Sequence, residues 1–161
     1  MSVRFLKDIH QWYRLVSSTF LHADMEHLVS NMLVLYCVGQ MVEEVSSTGF
    51  SIAVYFGCGI AGNLASAFYE FYFHKYSLSI GASGAVFGYL GCFVAFLLFN
   101  RANSRQYSIP RVIGSVALSL YAGFSNTRVN NEAHIGGLAF GLIMGMVYCM
   151  IKERTSKNPW R

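Results

Sequence analysis

Five apolar stretches, each near the roughly 20 residues a helix needs to cross a bilayer core, are separated along this chain by short polar breaks. They lie at about 27–46, 49–73, 82–99, 110–124 and 133–151, the fourth being short. In hydrocarbon every backbone N–H and C=O must be satisfied within the protein, so spans of this kind are helices. The expected fold class is an all-α polytopic membrane protein: one membrane domain over 1–161 with five transmembrane helices. Composition agrees. Charged residues make up 12% of the 161 residues, against about 25% in soluble domains, and this excludes an ordinary soluble enzyme.

The flanks of these stretches set the expected topology. Residues 1–26 mix charge with Trp12, Tyr13 and Phe20 and read as an interfacial segment. Met1 to Asp8 lacks the apolar core of a cleavable signal. Arg101, Arg105, Arg111, Lys152, Arg154, Lys157 and Arg161 fall on one side, and Arg4, Lys7, Arg14, Lys75 and Arg128 on the other. The positive-inside bias makes the C-terminal tail, 152–161, cytoplasmic in this multi-pass protein. Residues 83 and 134 then open their spans from the same, non-cytoplasmic side.

The net charge of +4 carries no nucleic-acid signal. Cys37, Cys58, Cys92 and Cys149 all lie in apolar stretches without zinc spacing and read as small buried side chains, with no structural disulfide expected.

Polar residues inside apolar spans are expensive and usually functional. Ser79 to Gly91 reads Ser-Ile-Gly-Ala-Ser-Gly-Ala-Val-Phe-Gly-Tyr-Leu-Gly and places Ser83 at the start of the third span. A hydroxyl is a weak nucleophile until a base takes its proton. A helix start supplies free N–H groups suited to an oxyanion. Ser83 is therefore a candidate nucleophile; a serine N-cap on a tightly packed helix is the other reading. His134 opens the fifth span in Ala-His-Ile-Gly-Gly-Leu-Ala-Phe-Gly. Gly137, Gly141 and Gly145 share one face and permit close approach by a helix bearing Gly84 and Gly88, which would carry His134 toward Ser83 as its base. A histidine satisfied by a backbone carbonyl is the alternative.

His27 and Asn31, four apart, share a helix face. They are candidate oxyanion donors, or interhelical hydrogen-bond partners. His22, His27 and His134 also raise a metal site. That reading is disfavoured, because the chain has no HExxH and no acidic ligand inside any span.

Three motifs, in order and covering nearly the whole chain, resemble those of the rhomboid intramembrane serine proteases: His22-Ala-Asp-Met-Glu-His27-Leu-Val-Ser-Asn31, Gly81-Ala-Ser83-Gly84, and Ala133-His134-Ile-Gly-Gly137-Leu-Ala-Phe-Gly141. The resemblance implies a rhomboid-like helical bundle with Ser83 as nucleophile and His134 as general base, a dyad without an acidic third member. It implies oxyanion donation by His27, Asn31 and the Ser83 backbone N–H. Arg14 and Glu43 match positions of structural polar contacts. The expected substrates are transmembrane helices that unwind near the outer membrane face, with the lipid bilayer as surroundings, no cofactor and no metal. The alternative function is a catalytically silent rhomboid-like protein that binds membrane helices. Two features depart from the family pattern. Phe87 stands where many bacterial members have a tyrosine stacked on the histidine; a phenyl ring can stack as well. The family core also has six helices, and this chain begins just before the second, so a further apolar helix upstream is expected.

Overall fold

The computed structural model describes residues 2, 8–74, 80–99, 107–124 and 129–156. Among them the chain is helical throughout. A 3-10 turn, Ile9–Gln11, leads into a short helix α1 (Arg14–Ser17) and a second 3-10 turn, Ser18–Phe20. The long elements are α2 (Met25–Val45), α3 (Thr48–Phe73), α4 (Ser83–Phe99), α5 (Ile109–Phe124) and α6 (Asn131–Ser156). By length and composition α2, α3 and α6 can each cross a membrane, while α4 and α5 are shorter apolar helices. At 1.5 Å per residue the 17 residues of α4 reach only about 26 Å, less than the ~30 Å hydrocarbon core. That is tolerable because α4 is wrapped by protein: 13 of its 17 residues are buried.

Local chemistry explains the helix ends. Asp24 caps α2, its Oδ1 accepting from His27 N–H at 2.8 Å, so the helix starts at Met25. Ser47 caps α3 by accepting from Phe50 N–H. The α2–α3 turn is tied by Thr48 Oγ1 donating to Glu43 Oε1 at 2.5 Å. α3 ends at His74 in the left-handed region (φ 54°). Pro110 falls in the first turn of α5, where a missing N–H costs nothing. α6 continues through Lys152 to Ser156, with Glu132 in its first turn and Arg154 in its last, both favourable to the dipole. Of the expected polar breaks, residues 75–79, 100–106 and 125–128, and of the tail residues 157–161, lie outside the described residues.

Glycines set the register of the bundle. A Cβ on Gly137 would collide with the Gly84 carbonyl, one on Gly141 with the Gly88 carbonyl, and one on Gly145 would meet Cys92 O at 2.8 Å. These pairings advance together, so α4 and α6 run parallel with backbones in contact. α3 runs antiparallel to both: Gly62 faces Gly84, and Cys58 faces Gly88. α2 lies parallel to α4, with His27 at Gly81 and Gly39 at Tyr89. The far half of the core is ordinary apolar packing of Val42, Val54, Cys58, Cys92, Phe93, Phe96 and Leu97. A polar tie crosses it, Tyr89 Oη donating to Ser51 O at 2.6 Å and lying 3.0 Å from Ser51 Oγ.

Contrary to the expectation from sequence, an acidic group does lie inside a span. Glu70 sits within α3 at 1% exposure, its Oε2 accepting from Ser2 Oγ at 2.8 Å. A buried carboxylate persists only with partners.

Candidate active site

α2, α4 and α6 all begin at the same end of the bundle, and the polar residues of the three motifs gather there. Ser83 is the first residue of α4. Gly81 before it has φ +119°, a conformation that costs a side-chain-bearing residue heavily. Its N–H donates to Ser18 O at 3.0 Å, and Ser18 Oγ accepts from Asn63 Nδ2 at 3.0 Å. Asn63 Nδ2 also reaches Leu15 O at 2.8 Å, so a single α3 amide holds the interfacial segment against the turn that presents Ser83.

His134 is the fourth residue of α6. Its Nε2 lies 2.9 Å from Ser83 Oγ, within hydrogen-bond distance. Phe87, one turn beyond Ser83, stacks on the imidazole with centroids 4.2 Å apart and planes at 17°. Three glycine contacts bring these groups together: Gly62 against Ala133 O, Gly84 against Gly62, and Gly136 against Ala61 O and Ala65. Asn130 fixes the start of α6. Its Oδ1 accepts from Ala133 N–H at 2.9 Å, and its Nδ2 donates to Ser66 Oγ on α3 at 2.7 Å. His134 is buried and Ser83 is half-buried, so the hydroxyl remains open on one side.

His27 is carried to the Gly81 turn. A Cβ on Gly81 would meet His27 Cε1 at 2.6 Å, so glycine is required there for space as well as for φ. The His27 ring also meets the His22 ring in a T-shaped contact, with centroids 5.3 Å apart. Asn31 lies one turn further along α2, buried, with Nδ2 donating to His27 O at 2.9 Å. An amide carries two such hydrogens, and this bond uses one. His22 lies outside the spanning helices. Burial and the neighbouring His27 hold its pKa below the usual 6.5, opposed by a hydrogen bond that the ring donates to the Phe20 backbone. Among the described residues no group of three or more His, Cys, Asp or Glu is arranged to hold a metal.

The rhomboid domain profile matches residues 9–151. The chain belongs to the rhomboid family. Rhomboid relatives include the rhomboid protease GluP of Bacillus subtilis (strain 168), 37% identical over 81% of this chain and 25% of GluP. RHOMBOID-like protein 5 of Arabidopsis thaliana is 32% identical over 97% of this chain and 50% of that protein. The rhomboid protease AarA of Providencia stuartii is 28% identical over 89% of this chain and 58% of AarA. The chain thus spans a quarter to just over half the length of these relatives. With a rhomboid domain and three membrane-length apolar helices, it is an integral membrane protein.

Two supporting residues of this rhomboid site, Asn63 and Ser66, are not among the residues the sequence singles out. They lie in the second apolar stretch, while Asn130 falls in the polar break before the fifth. Their signal was available: two polar side chains three apart on an apolar helix, at a face that also carries Gly59 and Gly62.

Proposed function

We propose that this rhomboid is an intramembrane serine endopeptidase that cleaves transmembrane-helix substrates near the outer membrane face. The observation that carries the proposal is the 2.9 Å approach of His134 Nε2 to Ser83 Oγ at the glycine-lined helix ends. Nε2 takes the hydroxyl proton as Ser83 Oγ attacks the scissile carbonyl. The oxyanion is met by the Ser83 backbone N–H at the start of α4, His27 and Asn31. The same imidazole returns the proton to the leaving amine, and water then hydrolyses the acyl-enzyme. A charged aspartate is absent from this scheme, and Phe87 holds the plane of the ring in its place. The relatives named as rhomboid proteases support the reading.

Fluorophosphonate labelling combined with a membrane-helix cleavage assay tests it. Wild type should label and cleave. Ser83→Ala and His134→Ala should each lose nearly all turnover, because nucleophile and base act as a unit. Substantial cleavage by Ser83→Ala would sink the serine mechanism. Folded wild type that neither labels nor cleaves would favour a silent binder of membrane helices.

A further inference from the structure

Among the described residues, two buried polar atoms at the Ser83–His134 end have no hydrogen-bond partner: Nδ1 of His134 and Oδ1 of Asn131. Their side chains are 8% and 7% exposed. With Nε2 facing the Ser83 hydroxyl as acceptor, Nδ1 of a neutral imidazole carries the proton and is a donor, whereas an amide oxygen is an acceptor only. The two residues are three apart on α6 and so share one face of the helix. Neither atom has structural work in starting the helix, since Asn130 does the capping and also bonds Ser66. A second buried asparagine in the first turn is then left with an idle acceptor one turn from an idle donor. Each atom has lost its water, and pairing them removes both desolvation penalties at once.

We propose that Asn131 is the positioning residue of the pair: its amide oxygen takes the Nδ1–H of His134 through a side-chain rotation. The inference rests on Ser83 and His134 being nucleophile and base. Phe87 sets the plane of the imidazole, but a ring face does not distinguish the two nitrogens. A hydrogen bond at Nδ1 does, and it leaves the Nε2 lone pair directed at Ser83 Oγ. The amide thereby does the orienting work of a triad carboxylate without placing a charge in a buried site.

The test compares full-length wild type with Asn131→Leu, Asn131→Ala and Asn131→Asp. Ring-nitrogen NMR of 15N-histidine-labelled protein reads the His134 tautomer, assigned by the signal lost in His134→Gln. Wild type should show the Nδ1–H tautomer. The Leu and Ala variants should show a mixture, with kcat down roughly tenfold to hundredfold and KM unchanged. Asn131→Asp, which restores an acceptor, should restore the tautomer. If Asn131→Leu does not fold, Asn131→Ala carries the same comparison. A wild-type tautomer in the Leu or Ala variant overturns the proposal, whether or not kcat falls. The tautomer readout needs no turnover. Absent fluorophosphonate labelling of wild type would count against the protease reading, while the NMR comparison still decides the role of Asn131.

Discussion

At the scale of single residues, His27 contacts both the Gly81 turn and the His22 ring. If it and Asn31 are oxyanion donors, they act on the transition state alone. His27→Ala and Asn31→Ala should then lower kcat by on the order of 10²-fold with little change in KM; steady-state kinetics on a membrane-helix substrate checks this. A pure KM effect would instead mark Asn31 as packing glue. His22 gives a pH signature. Its folded pKa lies below 6.5, so as pH falls below 6.5 the unfolded chain takes up a proton that the folded chain resists. Stability is therefore fully present above that pH and is lost as pH falls toward the folded value. His22→Gln should flatten the drop in melting temperature between about pH 7 and 5, as thermal unfolding in detergent would show; an unchanged slope removes His22 from the account. Ser83, His134, His27 and Asn31 were legible in the sequence as candidates, because each interrupts an apolar stretch beside glycine or another polar residue. Asn131 was legible only as part of the polar break before the fifth apolar stretch. Its neighbour Asn130 has the same side chain, and only the coordinates show which of the two caps α6.

At the scale of elements, the site depends on α4 and α6 touching backbone to backbone. The four-residue spacing of Gly137, Gly141 and Gly145 announced a close-packing face, and the register against Gly84 and Gly88 is what the structure adds. Replacing either Gly137 or Gly141 with leucine puts a side chain where a carbonyl oxygen stands. Overpacking of this kind costs about 1–3 kcal/mol. The larger effect is on geometry, since misplacement by about 1 Å can cost roughly 10²-fold in rate. Gly141→Leu should therefore reduce cleavage far more than it reduces the melting temperature, although it touches neither Ser83 nor His134. Wild-type activity in that variant would show that α4 and α6 do not meet there. The α3 contribution was harder to read. Asn63 ties α3 to the segment before α2, more than 40 positions away in sequence, and long-range pairing of that kind leaves no local periodicity.

At the scale of the whole molecule, the parallel course of α2, α4 and α6 places the starts of all three at one membrane face and their ends at the other. The apolar stretches predicted this up-and-down arrangement, because each connector must return the chain across the bilayer. Which face is cytoplasmic depends on charge. In the sequence, the connector after α4, the start of α5 and the C-terminal tail hold Arg101, Arg105, Arg111, Lys152, Arg154, Lys157 and Arg161, seven of the chain's 12 basic residues. Lys152 also does structural work there, its Nζ donating to Val45 O at the C-terminus of α2, where a cation suits the dipole. We therefore expect the C-terminus inside and the Ser83–His134 end outside. A fluorescent protein fused after Arg161 should mature in the bacterial cytoplasm, while alkaline phosphatase at the same point stays inactive; a phosphatase inserted after Thr127 should be active. The margin of seven basic residues against five is narrow, so reversing Lys152 and Arg154 to glutamate should produce a mixed population of orientations. Phosphatase activity at Arg161 in the unmodified chain would invert the whole assignment and place the Ser83–His134 end on the cytoplasmic face.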